Sequence, residues 1–367
     1  MSEVQKVIGL MSGTSLDGVD AALLDTDGQD IAIPGPDLTV PYNKETRALL
    51  KAALDIARDL PQAAPVPQPI RDAERHLTEL HAEAVKTLLD TVGLSAKDVA
   101  LIGFHGQTIL HRPQERRTWQ IGDGASLARL TGIDVINDFR GADVRAGGQG
   151  APFMPLYHAA LARKSGLNLP LVLVNIGGVA NVTFISADSV LAFDTGPGNA
   201  PIDDWMHHHS GKPVDTNGAF AAMGKVEFGV LGKMLANPWF DLPPPKSLDR
   251  MAFGTEAVHF LPPTDGAATL TAFTAASIAR AREHFPDEPK AWIVTGGGRH
   301  NKTLMRLLKS RVKAPVLTAE EAHWDGDAME AEGFAYLAMR SKRGLPLSLP
   351  TTTGVPNPMT GGRLHKH

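Results

Sequence analysis

The sequence predicts an α/β protein of two domains, each built around a mixed sheet. The first observation is length, because 367 residues are enough for about two domains of roughly 150 residues each. The second is a repeated pattern of apolar run, glycine turn and apolar run, at 7–24 and again at 171–185. Strand–loop–helix segments follow each repeat, and a doubly wound parallel sheet would not begin with a hairpin. We place the domain boundary near residue 138, which gives domains 1–138 and 139–367, with a C-terminal segment able to pack back on the first domain.

The composition excludes several classes of protein. Hydrophobic residues make up 43% of the chain and charged residues 21%, which supports a sizeable core. The formal net charge of −4 is too small to indicate a nucleic-acid or membrane partner. Because the chain has no cysteine, disulfides, thiolate nucleophiles and cysteine metal sites are excluded. No apolar stretch is long enough to span a bilayer and no signal-peptide pattern is present, so we expect a cytoplasmic protein.

The first half alternates strands and helices. A hairpin is predicted at 4–25, and a proline-punctuated stretch at 34–42 follows it. The segment 70–92 has the spacing of an amphipathic helix and is stopped by Gly93. The remaining elements are a helix at 44–59, a buried strand at 98–110, a strand, turn and helix within TWQIGDGASLARLTG, a strand before NDFRGADVRAGGQG, and a helix from about Pro155.

The second half has the same kinds of element with longer loops. Strand, glycine turn and strand span 171–185, and VLAFDTGPGN is a strand that ends in an acid and a glycine loop. AWIVTGGGRHNKTLMRLLKSR is a strand, a glycine loop and a helix. Further helices are predicted near 224–236, at 266–284 and at 326–342, the last with an aspartate cap. The tail from Leu345 is predicted to be a loop whose last residues are frayed.

The turn SGTSLDG, inside the first hairpin, carries more polar groups than a hairpin needs. Gly13 and Gly18 would let backbone amides approach a ligand, and the hydroxyls of Thr14 and Ser15 can donate to phosphate oxygens. Asp17 could hold Mg²⁺ through water, since Mg²⁺ prefers oxygen ligands and keeps several waters. The alternative is an ordinary turn closed by local Asx and Ser/Thr hydrogen bonds.

Two further glycine loops follow strands. In FDTGPGN, Asp194 stands at a strand end, where a carboxylate can act as a general base towards a substrate oxygen. The alternative is a helix N-cap, for which Asp203 and Asp204 are better placed. The glycines of TGGGRHN suit a flat ligand such as adenosine, or else a tight strand–helix crossing. Neither the P-loop pattern nor G-x-G-x-x-G is present, which argues against a P-loop nucleotide site and a dinucleotide enzyme.

Three glycine loops at strand ends, two of them with an acid, resemble the actin, hexokinase and heat-shock chaperone superfamily of ATPases. Within it, the chain is most similar to the bacterial anhydro-N-acetylmuramic acid kinases. The resemblance rests on GLMSGTSLDGVDAAL, FHGQT, QIGDGASLA, NDFRGADVRAGGQGAP, NIGGVANVT, FDTGPGN and GGGRHN, in the family's order. It implies a two-lobe actin/hexokinase-like α/β fold with mixed sheets and a central interlobe cleft.

The resemblance also implies an enzyme that uses ATP and Mg²⁺. The family converts 1,6-anhydro-N-acetylmuramic acid into N-acetylmuramic acid 6-phosphate for peptidoglycan recycling: water attacks C1, the anhydro ring opens, and O6 takes the γ-phosphoryl group. The implied partners are a small-molecule sugar and a second copy in a homodimer, with no nucleic acid and no membrane. Two alternatives stay open, a conventional amino-sugar kinase of the same superfamily and a nucleotide-driven interaction protein.

By this resemblance Asp194 is the general base that activates the water. Arg140 of NDFR and Glu330 of GDAMEAEGFA lie in the sugar site; Arg140 could form a bidentate pair with the lactyl carboxylate, or else an interdomain salt bridge. His105 and Gln107 of FHGQT could hydrogen-bond the sugar, a structural histidine being the alternative. The implied ATP contacts are Gly13, Thr14, Ser15, Leu16, Asp17, Gly18, Val19 and Asp20 in the first turn, Gly177 and Gly178 in the second hairpin, Gly196, Gly198 and Asn199 after the base, and Gly296, Gly297, Gly298 and Asn301 in the adenosine loop.

Two features carry no implied role. The family usually has a PPKSTGRE-like segment where this chain has PPPKSLDRMAF, so nothing is carried over to residues 247–251, which could be only a contact between the lobes. His207, His208 and His209 are adjacent, and adjacent residues point to different faces of a helix, so a shared metal site is not expected there.

Overall fold

The computed structural model describes residues 3–13 and 15–367, which divide into two compact units. The first unit is Met1–Lys164 together with Ala328–His367, and the second is Ser165–Asp327. The division therefore falls at Lys164, not near residue 138, because the helices between these positions pack on elements of the first unit.

The elements, numbered in chain order, follow the alternation expected from the sequence. The strands are β1 (Gln5–Ser12), β2 (Gly18–Thr26), β3 (Ala32–Pro41), β4 (Leu101–Arg112), β5 (Arg117–Ile121), β6 (Val135–Asn137), β7 (Leu171–Ile176), β8 (Val179–Ile185), β9 (Val190–Pro197), β10 (Ala291–Thr295), β11 (Val316–Thr318) and β12 (Arg363–His365). The helices are α1 (Lys44–Asp59), α2 (Gln68–Val92), α3 (Gly124–Thr131), α4 (Gly141–Arg145), α5 (Pro155–Lys164), α6 (Ala200–Ser210), α7 (Ala219–Ala222), α8 (Phe228–Leu235), α9 (Pro263–Arg280), α10 (Lys302–Lys309), α11 (Met329–Lys342) and α12 (Pro350–Thr353).

Each unit contains one mixed sheet, and the two sheets share a strand order. In the first unit the order is β12-β6-β4-β1-β2-β3, with β5 paired to β4; in the second it is β11-β10-β7-β8-β9. Both begin with an antiparallel meander, β1–β3 or β7–β9. In the first sheet β4 and β6 add in parallel, and in the second β10 and β11 do so, whereas β5 and β12 pair antiparallel with β4 and β6. The predicted α/β class with mixed sheets is confirmed, and the two rounds of strand, glycine turn and strand correspond to the two meanders.

The first sheet is covered on both faces because successive residues of β1 point to opposite sides. Ile8 and Leu10 belong to a core shared with α1 and α2. Between them, Gly9 faces α11, where a Cβ would collide with the carbonyl oxygen of Ala331. Gly103 of β4 meets α11 in the same way. Glycine at these two positions lets the helix lie directly on the strands.

The proline-punctuated stretch at 34–42 lies, up to Pro41, in an edge strand, β3. Its prolines are tolerated because β3 pairs only with β2, and an edge strand has unpaired N–H positions. The predicted end of α2 at Gly93 is confirmed, with φ +70° at that glycine.

The expectation of a loop-like, frayed tail is wrong. Residues Arg363–His365 form β12, which pairs antiparallel with β6. The Lys366 ammonium donates to Asp134 at 2.6 Å, and His365 hydrogen-bonds Asn137 at 3.0 Å. The predicted aspartate cap on the last long helix is also wrong, since the N-cap of α11 is Ala328 and Asp327 pairs with Arg299.

The second sheet has its core on the face covered by α9 and α10. Val172, Val174 and Ile176 of β7 alternate inward and pack with Ile278 of α9 and Leu304 of α10, among other apolar residues. Among the described residues, every helix is too short or too polar to cross a lipid bilayer.

His81 makes the stability of the first unit depend on pH. It is fully buried in α2 against Phe104, its Nδ1 lies 2.8 Å from the Leu77 carbonyl, and its Nε2 has no hydrogen-bond partner in the described chain. Burial lowers the pKa of His81 to about 4. Between pH 6.5 and pH 4 the unfolded state therefore binds more protons than the folded state, and the free energy of unfolding falls as the pH is lowered.

We expect His81→Leu to lose less stability on acidification than the wild type. Urea unfolding at pH 7.5 and pH 4.5 should show a difference in that loss of about 2 kcal/mol, because the charged imidazole no longer has to be buried. His208→Leu, on the exposed part of α6, is the control and should lose as much stability as the wild type. Equal losses in all three proteins would contradict the assignment.

Candidate active site

The first glycine turn is held by the strands beside it. Ser12, buried at the end of β1, donates from Oγ to Oε1 of Gln107 at 2.7 Å and shares a hydrogen bond with the Tyr42 hydroxyl at 2.7 Å. Gln107 is fully buried, and its amide nitrogen donates to the Thr108 carbonyl. Both ends of this side chain are used within the protein, so Gln107 supports the turn.

The turn SGTSLDG contains some of the local hydrogen bonds that an ordinary turn would have. Leu16 has φ +55° and its N–H donates to the Gly13 carbonyl. The Ser15 hydroxyl donates to Oδ1 of Asp17 at 2.8 Å, and both side chains are exposed. Thr14, a predicted phosphate contact, lies outside the described residues.

The last three residues predicted for this turn belong to β2. Gly18 is glycine for a packing reason, because a Cβ there would lie 2.6 Å from the carbonyl oxygen of Val40 in β3. The Val19 side chain is fully buried in the core. Asp20 is half-buried and accepts a hydrogen bond from the Thr39 hydroxyl at 2.6 Å.

His105 and Arg140 form a directly bonded pair. His105 is buried at 4% exposure, and its Nδ1 lies 2.8 Å from the Gly106 carbonyl, which requires a proton on that nitrogen. Nε2 is therefore the acceptor for the Arg140 Nε–H at 2.9 Å. Burial, followed by the charge of Arg140, holds the pKa of His105 well below its usual value. A neutral His105 thus orients Arg140.

A second contact holds the guanidinium, since Nη1 of Arg140 donates to the Gly150 carbonyl at 2.7 Å. The Gly150 N–H in turn donates to Asp143, which is fully buried and also accepts from the hydroxyls of Ser348 and Thr353. The C-terminal segment therefore supports Arg140 through Asp143. Nη2 of Arg140 has no hydrogen-bond partner in the described part of the chain.

Glu330 lies on the first turn of α11 with its side chain exposed. Its pKa is raised, first by desolvation from the surrounding protein and then by the charges of Asp20 and Asp17, while Arg140 acts in the opposite direction. The predicted phosphate turn and the predicted sugar residues of the first unit thus lie within electrostatic range of one another.

In the second unit, two glycine loops are joined by backbone hydrogen bonds. The Gly198 N–H donates to the Gly178 carbonyl at 2.9 Å, and the Asn199 N–H donates to the Gly177 carbonyl at 2.7 Å. Gly198 must be glycine because a Cβ would collide with the Gly177 carbonyl oxygen. At Gly177 and Gly178 a Cβ would meet nothing closer than 3.6 Å, so packing does not demand glycine at these two positions.

Asp194 lies in β9, immediately before Thr195 and Gly196. Its Oδ2 accepts a hydrogen bond from the Leu248 N–H at 2.7 Å, and its own N–H donates to the Lys246 carbonyl at 2.9 Å. Desolvation raises the pKa of Asp194 to about 7, while the Leu248 N–H acts to lower it. The N-cap of α6 is Asn199, so the interpretation of Asp194 as a helix cap is wrong.

The third glycine loop packs against the end of β7. A Cβ at Gly296 would crowd Asn175, and one at Gly298 would crowd Ile176. A Cβ at Gly297 would lie no closer than 3.8 Å to any neighbouring atom. Asn301, a predicted nucleotide contact, is the N-cap of α10, and its Oδ1 accepts from the Leu304 N–H at 2.9 Å.

The Arg299 side chain joins the third glycine loop to neighbouring residues through ion pairs and a hydrogen bond. The side chain is 3% exposed and pairs with Glu320 and Asp327, each at 2.8 Å, while Nη1 donates to the Gly296 carbonyl. Beside the loop and α10 is a pocket of about 510 Å³, a volume typical of small-molecule sites. Its basic lining residues are Arg299, His300, Lys302, Arg306 and Lys309.

Several residues that position the site were not predicted from the sequence, namely Ser12, Tyr42, Asp143, Lys246 and Leu248. Lys246 and Leu248 act on Asp194 through backbone atoms, and no residue pattern reports such contacts. The segment 247–251 also contains Arg250, whose guanidinium pairs with the Asp204 carboxylate at 3.1 Å and lies beside Gly178. In the described residues, no group of three or more histidine, aspartate or glutamate side chains could hold a metal ion.

Comparison with known proteins decides the family. The model of the anhydro-N-acetylmuramic acid kinase family matches residues 5–366. The chain belongs to this family. An anhydro-N-acetylmuramic acid kinase of Rhizorhabdus wittichii is 52% identical and one of Paramagnetospirillum magneticum is 53% identical, each over 98% of this chain and 98% or 99% of the relative.

The resemblance to the anhydro-N-acetylmuramic acid kinases that the sequence motifs indicated is thereby confirmed. A third family member, from Rhodospirillum rubrum, is 53% identical over 97% of this chain and 92% of its own length. Among solved structures, component A of an Acidaminococcus fermentans (R)-2-hydroxyglutaryl-CoA dehydratase matches at a TM-score of 0.48 and 12% identity, over 92% of this chain and 99% of that one. The family assignment depends on the sequence relatives.

Proposed function

We propose that this chain is an ATP-dependent kinase that hydrolytically opens the ring of 1,6-anhydro-N-acetylmuramic acid and phosphorylates O6, giving N-acetylmuramic acid 6-phosphate and ADP in peptidoglycan recycling. The observation that carries the proposal is Asp194. Its carboxylate lies within β9, four residues before Gly198, where two glycine loops are joined, and its pKa is raised to about 7. A base is most effective when its pKa is near the working pH.

The chemistry explains why the base serves water. In a conventional sugar kinase the base removes a proton from the accepting hydroxyl. In the anhydro sugar, O6 is an ether oxygen and carries no proton. We infer that Asp194 takes one proton from water as the water oxygen bonds to C1. The C1–O6 bond breaks, O6 receives the γ-phosphoryl group, and ADP leaves. Charge developing at C1 resembles that in glycoside hydrolysis, where a nearby carboxylate also helps.

For the nucleotide, we assign the phosphates to the turn from Gly13 to Asp20 and to the loops at Gly177, Gly178, Gly196, Gly198 and Asn199. The open space at Gly177 and Gly178 supports close approach of a ligand to backbone amides. We assign adenosine to the loop at Gly296, Gly297 and Gly298, and the pocket lined by Arg299 and His300, the next two residues of that loop, has the volume for it. Asn301 would contribute by capping α10.

Mg²⁺ is part of the proposal. The exposed carboxylate of Asp17 fits an ion held through water, since Mg²⁺ is commonly bound by one or two carboxylates and substrate phosphates. When bound, the ion neutralises charge on the transferring phosphoryl group. The cytoplasmic location and the homodimer expected from the sequence analysis also belong to the proposal.

For the sugar, we assign Arg140 and Glu330. The Nη2 group of Arg140 is accessible for a carboxylate such as the lactyl group, while Nε and Nη1 are held by His105 and Gly150. His105 would therefore act through Arg140, as a positioning residue, and Gln107 through the phosphate turn.

The reaction can be tested in ¹⁸O-labelled water with ATP, Mg²⁺ and 1,6-anhydro-N-acetylmuramic acid. We expect mass spectrometry at early times to show a phosphorylated product with one ¹⁸O at the anomeric position. A parallel sample of unlabelled product in labelled water measures the exchange of the free anomeric oxygen. Phosphorylation of free amino sugars alone would favour a conventional kinase, and ATP hydrolysis independent of any sugar would favour an interaction protein.

A further inference from the structure

The segment 246–248 runs alongside β9 at the position of Asp194. Two hydrogen bonds join them: the Asp194 N–H donates to the Lys246 carbonyl at 2.9 Å, and the Leu248 N–H donates to Oδ2 of Asp194 at 2.7 Å. One bond fixes the main chain of Asp194 and the other fixes its carboxylate. Of the two carboxylate oxygens, the hydrogen bond of Leu248 engages Oδ2 and not Oδ1.

Lys246 anchors this segment from the other side. Its ammonium donates to the carbonyls of Phe240 at 2.8 Å and Trp239 at 3.3 Å, and lies 4.5 Å from the centre of the Trp239 ring. The turn that carries these carbonyls is held in place by Arg280 of α9, which pairs with Asp241. The anchor therefore extends from α9 to the carboxylate through a continuous set of contacts.

We propose that the main-chain N–H of Leu248, anchored through Lys246, is the positioning group that fixes the Asp194 carboxylate, leaving Oδ1 to receive the proton from water. The inference rests on the proposed role of Asp194 as the base. It assigns a role to the segment whose sequence departs from the family pattern, and that role needs only main-chain atoms and the anchoring lysine. Such a role tolerates the side-chain changes at residues 247–251.

The hydrogen bond from the Leu248 N–H can be tested through its effect on the pKa of Asp194. The causes that act on the pKa of Asp194 are burial and the Leu248 N–H, so removing the donor should raise that pKa. The Lys246 ammonium is directed to the Phe240 carbonyl, and the charged groups that act on it are Arg280, Asp241 and Glu283, with His284 beside them.

Leu248→Pro removes the N–H, whereas Leu248→Ala keeps it and is the matched comparison. The acid limb of the kcat–pH profile, with saturating ATP and anhydro sugar, should move to higher pH by about one to two units in Leu248→Pro and stay in place in Leu248→Ala. KM for ATP should change little. Lys246→Met, which keeps the apolar stem and removes the ammonium, tests the anchor without a proline and should lower kcat and move the limb in the same direction.

An acid limb at the same pH in wild type, Leu248→Ala, Leu248→Pro and Lys246→Met, with all four proteins folded and binding ATP, would overturn the inference. Asp194→Asn separates this failure from failure of the proposed function. If Asp194→Asn keeps wild-type turnover, Asp194 is not the base. If that variant is inactive and the limb still does not move, the base stands and the positioning role of Leu248 is wrong.

Discussion

Asp194→Asn should lower kcat by about 10²–10⁴-fold, the contribution typical of a general base, while ATP binds with nearly wild-type affinity. Asparagine keeps the volume of the side chain and an oxygen that can accept from the Leu248 N–H, but it cannot take a proton. The measurement is kcat with the anhydro sugar at pH 8, together with nucleotide affinity by calorimetry. Wild-type turnover would remove Asp194 from the mechanism.

Loss of folding cannot produce the same result, because the substitution should not destabilise the protein at that pH. Burial raises the pKa of Asp194 above its unfolded value, so the folded state binds more protons than the unfolded state between about pH 4 and pH 7. As the pH rises through this window, the charged carboxylate lowers the stability of the fold. At pH 8 the asparagine variant should unfold at the same denaturant concentration as the wild type or a higher one.

The wild-type pH profile provides an independent check. Turnover should fall as the pH drops below about 7, since a protonated Asp194 cannot accept a proton from water. A profile that stays flat from pH 8 to pH 5 would contradict the assignment of this carboxylate as the base.

Arg140→Lys should raise KM for the anhydro sugar on the order of 10–100-fold, the cost of losing a charge-assisted hydrogen bond, with KM for ATP nearly unchanged. Lysine keeps the charge but has one ammonium in place of the planar guanidinium. It cannot donate to His105 and to Gly150 and still present a further N–H in the geometry of Nη2. The two KM values are measured from initial rates, with the anhydro sugar varied at saturating ATP and then ATP varied at saturating sugar.

Arg145→Lys is the matched control, because Arg145 is the last residue of α4, whose N-cap is Arg140, but its side chain is 66% exposed, with Asp138 at 3.8 Å as its ion-pair partner. It should leave both KM values unchanged. Equal effects in the two variants, or an unchanged sugar KM in Arg140→Lys, would contradict the assignment of Arg140 to the sugar.

Local sequence patterns were sufficient for most elements of this fold. The helix α1 begins and ends where the periodicity places it, and α2 ends at Gly93, because apolar spacing and a left-handed glycine are local signals. The two antiparallel meanders are visible in the sequence as repeated pairs of apolar runs around glycine turns. As a set and in their order along the chain, the motifs are distinctive enough to indicate the family by themselves.

Distant contacts decided what those patterns could not. Gly18, predicted to let a ligand approach, is also required by the close approach of β3, and Asn301, predicted to contact the nucleotide, also caps α10. The last residues, expected to fray, form β12 because β6 offers an edge at which they can pair.

By itself, the sequence determined most element types, the family and the residue that we assign as the base, since these depend on local spacing and on side-chain chemistry. Only the tertiary structure decided how that chemistry is held in place. The tautomer of His105 follows from its contacts with Gly106 and Arg140, and the orientation of Asp194 follows from the main chain of Lys246 and Leu248. Main-chain donors are present at every residue except proline, so only folding determines which of them meets a given carboxylate.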